Sequence, residues 1–87
     1  MDRERFEEIM DGDSKLGDYD DDNAFLGLQI IRKYMSKKGI EGADHDIIYS
    51  SDIDKLLEAG LTEEDATELR NLNWMIDDEG DCLACFV

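Results

Sequence analysis

Six aspartates fall within the thirteen residues of DGDSKLGDYDDDN (11–23), opposed only by Lys15. Carboxylates at this density suggest calcium first. An EF-hand loop takes oxygen ligands at positions 1, 3, 5 and 12 and needs glycine at position 6 for its bend. Read from Asp18, positions 1, 3 and 5 are Asp18, Asp20 and Asp22, but position 6 is Asn23 and position 12 is Gln29. Read from Asp11, position 5 is Lys15 and position 6 is Leu16. The turn residue and the bidentate carboxylate are both missing, so a calcium-binding domain is the most distant of the functional readings.

Cys82 and Cys85 have C-x-x-C spacing. Structural zinc needs two further ligands, and His45 is the single histidine. A redox pair belongs at a helix N-terminus, whereas these cysteines lie on an expected terminal strand, where residues three apart are about 10 Å apart. That distance forbids a disulfide between them. Two reduced thiols are expected, one packed and one nearer the surface. His45, Ser50 and Ser51 invite a hydrolytic reading, but there is no nucleophile elbow and no glycine-rich oxyanion loop. The chain is expected not to be an enzyme and to need no cofactor and no metal.

What remains is charge. Twenty-four acids against nine bases give a net charge of -15, which repels nucleic acid and anionic lipid and attracts basic proteins. Direct nucleic-acid binding and membrane binding are not expected. The distribution is uneven: residues 1–23 hold ten acids and three bases, 24–38 four bases and no acid, and 39–87 fourteen acids and two bases. Duplex DNA carries one charge per about 1.7 Å of axis, so a length of about 30 Å, the diameter expected of this chain, presents about nine charges to one side. The acids are numerous enough to imitate that, provided the fold gathers them.

The elements that must do the gathering are legible in outline. Eighty-seven residues make one domain, 1–87, with a modest core. No stretch approaches the length of a membrane span, and MDRERFEEIM lacks the apolar centre of a signal peptide, so a cytoplasmic location is expected. Phe6, Ile9 and Met10 stripe a first short helix ended near Gly12. Asp21 or Asp22 is placed to cap a second helix over 23–38, with Ala24, Phe25, Leu28, Ile31, Tyr34 and Met35 on its apolar face, bases in its last turns and Gly39 as its stop. DHDIIYS (44–50) reads as a strand, with Ile47 and Tyr49 opposite Ile48. Ser51 is expected to cap a helix closed by Gly60, and Thr62 the next, with Leu61 packing on Ala66.

The segment LNWMIDDEGDCLACFV (72–87) reads as a hairpin around residues 77–80 with Gly80 at positive φ. In that register Trp74 faces Ala84, Leu72 faces Phe86 and Ile76 faces Cys82, all six toward the helices. Losing even CFV (85–87) is then expected to damage folding. The fold class is α+β: a small antiparallel sheet of about three strands, including the C-terminal hairpin, on three to four helices.

The second half, with ADHDIIY, a short helical segment and then L..LNW...DEGDCLACFV, resembles small acidic proteins encoded by bacteriophages and other mobile elements. The likeness covers about half of the chain. Some proteins of that kind are anti-CRISPR or anti-restriction inhibitors that occupy nucleic-acid sites on host defence complexes, and the resemblance implies a host-cell cytoplasmic inhibitor of that type. The expected partner is a basic, nucleic-acid-binding complex such as a CRISPR effector. The expected contact surface is Asp18, Asp20, Asp21, Asp22, Asp44, Asp46, Asp52, Asp54, Glu63, Glu64, Asp77, Asp78, Glu79 and Asp81. The alternative is a non-enzymatic interaction module acting through an apolar patch. Oligomeric state is open.

Overall fold

The computed structural model describes residues 1–12, 22–35, 40–77 and 79–86. Local capping explains where three of the four described helices begin. Asp2 accepts the Arg5 amide at 2.8 Å and starts α1 (Arg3–Met10). Thr62 accepts the Asp65 amide at 3.2 Å and starts α4 (Glu63–Asn71), with Leu61 before it and Ala66 within it both in the core. Each side-chain cap satisfies one of the amides a helix start leaves unpaired.

Two starts differ from expectation. The cap of α3 (Ile53–Glu58) is Asp52, which accepts the Lys55 amide at 3.1 Å, and not Ser51. Ser51 is 1% exposed and its hydroxyl has no partner among the described residues. β2 runs two residues further than the sequence suggests and carries Ser51 within the sheet, leaving Asp52 at its end to cap. Asp52→Ala is therefore expected to cost about 1 kcal/mol. Ser51→Ala, which removes an unsatisfied buried hydroxyl, is expected to be neutral or stabilising in the same thermal melts. At α2 (Asn23–Arg32), Asp22 occupies the cap position but its side chain makes no capping bond, and Asp21 lies outside the described residues.

α2 also ends earlier than its periodicity suggests. Lys33 and Tyr34 turn rather than continue, and Gly39 lies outside the described residues. Its buried residues are Asn23, Gly27 and Ile31, while Phe25 is 60% exposed. The inward face is thus rotated from the one the apolar residues mark. Gly27 explains the rotation, because a Cβ there would sit 1.8 Å from Trp74 Nε1, so glycine lets the helix lie against the indole.

The strand expected over 44–50 is in fact a hairpin. β1 (Gly42–Asp44) turns through His45 and Asp46 into β2 (Ile47–Asp52), with Asp44 paired to Ile47. The Asp44 carboxylate accepts the His45 amide at 3.0 Å and helps close this tight turn. With β3 (Met75–Ile76) and β4 (Cys82–Phe86), the sheet has four antiparallel strands in the order β1-β2-β4-β3, one more than expected. The α+β class holds.

The C-terminal hairpin is shifted by one residue from the expected register. Met75 pairs with Ala84 and Ile76 with Leu83. The cause is Asp77, whose carboxylate accepts the amides of Asp81 at 2.9 Å and Cys82 at 3.4 Å, drawing Asp81 into the loop. A slip of one residue exchanges the faces of a strand. Leu83 and Cys85 therefore enter the core beside Trp74 and Ile76, and Cys82, Ala84 and Phe86 turn to the other face. Leu72 is not in a strand at all; it ends α4. Gly80 does take positive φ (77°), as expected.

The core lies between one sheet face and the helices: Phe6 and Ile9 of α1, Ile31 of α2, Ile53 and Leu56 of α3, and Ala66 and Leu69 of α4 meet Leu83 and Cys85. A buried polar hub crosses it. Asn23 donates to the Leu72 carbonyl at 2.7 Å and to Cys85 Sγ at 3.2 Å, and Trp74 Nε1 donates to the Asn23 carbonyl at 3.0 Å.

Candidate functional site

Apart from Asp22, the described acids of the expected contact surface fall into three groups set by the topology. Asp44 and Asp46 lie at the β1–β2 turn, beside the Phe86 end of β4, since Ile47 pairs with Phe86. At the other end of the sheet, Asp52 pairs with Cys82 and the Asp81 carbonyl accepts the Ile53 amide at 3.0 Å. That bond ties the start of α3 to the β3–β4 loop. Asp52, Asp54, Asp77, Glu79 and Asp81 are thereby gathered in one region. The third group, Glu63 and Glu64, occupies the first turn of α4.

The bases neutralise these groups unequally. Arg3 pairs with Asp54 at 3.1 Å, and its guanidinium also donates to the Gly80 carbonyl. Arg5 pairs with Glu63 at 3.0 Å, and Lys33 with Asp65 at 2.8 Å. Among the described residues no ion pair reaches Asp52, Asp77, Glu79 or Asp81. The field there is felt by Cys82: burial first, and then the charges of Asp77, Asp81 and Asp52, push its thiol up to about 11. Burial would push the Asp77 carboxyl up too, but the amides of Asp81, Cys82 and Gly80 more than offset it and hold it below the usual range. Asp77 thus stays charged and fixed in place.

Of the fourteen acids expected to form one surface, Asp18, Asp20, Asp21 and Asp78 lie outside the described residues. Asp22 is exposed at the start of α2. Asp44 and Asp46 do not join the Asp52–Asp81 group, because the length of β2, roughly 15 Å, lies between them. The surface is partial, with its best gathered part at the β3–β4 loop.

Asp65 was not among the expected site residues and proves structural. Burial favours its neutral form, but the Lys33 ammonium, the Tyr34 hydroxyl and the Thr62 hydroxyl hold its pKa below the usual value. The pair joins the C-terminal end of α2 to the first turn of α4. A carboxyl whose folded pKa is depressed stabilises the fold above its unfolded pKa of about 4, and that contribution is lost as pH falls through the folded value. Asp65→Asn is therefore expected to lower Tm more at pH 7 than at pH 3. Equal losses at both pH values would show that the charge is irrelevant.

Among the described residues the other chemistry suggested by the sequence is not assembled. Both cysteines are free, Cys82 half-buried and Cys85 buried, with the Cys85 thiol also pushed up to about 11 by burial despite the Asn23 amide. His45 is exposed in the β1–β2 turn, whereas Ser50 and Ser51 are buried at the far end of β2. The calcium frame beginning at Asp18 runs from Asn23 onward into α2, so its sixth to twelfth positions are helical and cannot wrap an ion. Among the described residues no three acid, histidine or cysteine side chains converge as metal ligands, and no helix is long and apolar enough to cross a membrane.

Sequence reasoning missed a second feature. The sheet face away from the core carries Ile47 and Tyr49 of β2, Met75 of β3 and Phe86 of β4, with Asp77 and Glu79 at its edge, around a cavity of about 330 Å³. The alternation of Ile47, Ile48 and Tyr49 was the available signal, but the slipped register hid Phe86 and Met75 from it. No protein-family profile, curated protein or solved structure matches this chain.

Proposed function

We propose that this chain is a small acidic inhibitor of phage type, acting without catalysis, that occupies the Lys/Arg-lined nucleic-acid site of a host defence complex such as a CRISPR effector. The observation that carries this reading is the gathering of Asp52, Asp54, Asp77, Glu79 and Asp81 around one end of the sheet, with Arg3 the one described base paired within it. A chain of net charge -15 that also holds the Asp77 carboxylate in place through the amides of Asp81 and Cys82 offers a basic groove a partly preformed counterpart. The longest dimension, 29 Å, is that of a duplex segment of on the order of nine base pairs.

The test is capture of a CRISPR effector complex by the tagged protein, followed by competition with target DNA at two salt concentrations. Displacement by DNA, and more readily at high salt, is expected, because both ligands use the same basic residues. Binding indifferent to DNA and to salt would overturn mimicry. Within the complex, Glu79→Lys with Asp81→Lys is expected to weaken binding at least tenfold. Asp44→Lys with Asp46→Lys, at the opposite end of the sheet, is expected to weaken it less.

A second reading rests on α2, where Phe25 and Leu26 are 60% and 42% exposed. They border shallow clefts with Gln29, Ile30 and Leu72 on one side and Leu28 and Arg32 on the other. This is the apolar patch that an ordinary interaction module would use. Loss of capture by Phe25→Ser, with the Glu79 and Asp81 reversals harmless, would select it.

A further inference from the structure

The geometry points to the outer sheet face as a receptor for a single arginine side chain presented by the partner, an inference that rests on the basic partner proposed above. Three observations converge on it. The floor is aromatic and apolar on strands held in fixed register: Ile47 opposes Phe86, and Tyr49 and Met75 both oppose Ala84, which puts their side chains on one face. The rim is acidic on one side, where Asp77 and Glu79 border the same cavity. The size is small, about 330 Å³, at the lower end of the range for ligand pockets and fitted to one side chain rather than to a cofactor.

An uncharged apolar occupant would place nothing against the two carboxylates, and an anion would be repelled by them. A cation with an extended apolar stem satisfies both parts of the cleft. Arginine suits it better than lysine, because the planar guanidinium stacks on aromatic rings while its N–H groups bond a carboxylate in a fork. Asp77 is already oriented, its Oδ1 held by the amides of Asp81 and Cys82, so little ordering is needed when the cation arrives. Glu79 is exposed at the lip and supplies the second charge. Met75, with its flexible thioether, can adjust to the stem.

The experiment is an NMR titration of the whole protein with N-acetyl-arginine amide, run beside the uncharged citrulline analogue and the lysine analogue. Arginine amide is expected to shift the signals of Ile47, Tyr49, Met75 and Phe86 at millimolar concentration, with citrulline at least tenfold weaker and lysine several-fold weaker. Glu79→Gln, an exposed change that leaves the loop bonds of Asp77 intact, should reduce the arginine affinity several-fold. No shift, shifts confined to other surfaces, or equal responses to citrulline or lysine would overturn the inference. The two readings fail separately. An effector captured and displaced by DNA, with no arginine response in the cleft, removes the receptor and leaves the acidic surface. A cleft response without capture does the reverse.

Discussion

Replacing Gly27 with alanine is expected to destabilise the fold by about 3 kcal/mol or more, although alanine is the better helix former by about 1 kcal/mol. The methyl would lie 1.8 Å from Trp74 Nε1 and 2.4 Å from Cε2, so the ring or the helix must move. Neither moves easily. Trp74 is 2% exposed, and its N–H bonds the Asn23 carbonyl one turn before Gly27, so the ring is fastened to the helix it touches. Displacing the ring would strain the bond of Asn23 to Leu72 and open the space beside Cys85. For a domain of this size the loss corresponds to a fall in Tm on the order of 15 °C. Trp74→Leu, itself costly, removes the obstacle, so the double variant should lose clearly less than the sum of the two. A Gly27→Ala protein with unchanged Tm would mean that α2 does not rest on the indole.

This contact also shows what the sequence could and could not reveal. The start of α4 is encoded locally, in Thr62 with Leu61 and Ala66, and could be read directly; the Asp2 cap of α1 is just as local, but the expectation for that helix rested only on its apolar stripe and its end near Gly12. The inward face of α2 could not, because two of its three buried residues, Asn23 and Gly27, are not apolar. They are inside because Trp74 and the Leu72 carbonyl are there, and those partners lie about fifty residues away. The β1–β2 turn was missed for a related reason: His45 and Asp46 carry no glycine or asparagine signal, and a neighbouring carboxylate helps close the turn. The register of the last hairpin depended on one side chain, Asp77, bonding two amides. The acidic residues of the candidate site were plain from composition. Their grouping followed only from the pairing of β2 with β4, which separates Asp44 and Asp46 from Asp52 and joins Asp52 to the β3–β4 loop.

Deleting residues 85–87 is the other change with a large expected effect, and the slipped register strengthens the reason for it. β4 is an interior strand of the sheet, bonded to β2 on one side and β3 on the other. Removing Cys85 and Phe86 takes away the partners of Ile48 and Ile47 and leaves β2 paired to β4 only around Tyr49 and Asp52, across an irregularity in the ladder. It also empties a fully buried core position and removes the sulfur that one Asn23 amide bond reaches. Each loss is of a kind that costs about 1 to 3 kcal/mol, against a total stability of roughly 5 to 15 kcal/mol for small domains. The shortened chain is therefore expected to lose its cooperative thermal transition and its near-ultraviolet circular dichroism from Trp74. Removing Phe86 alone by Phe86→Ser should leave that transition largely in place, since this ring faces away from the core and is 39% exposed. A truncated protein that melts like the parent would mean that β4 does not hold the sheet together, and the acidic loop and the outer cleft it supports would have to be placed anew.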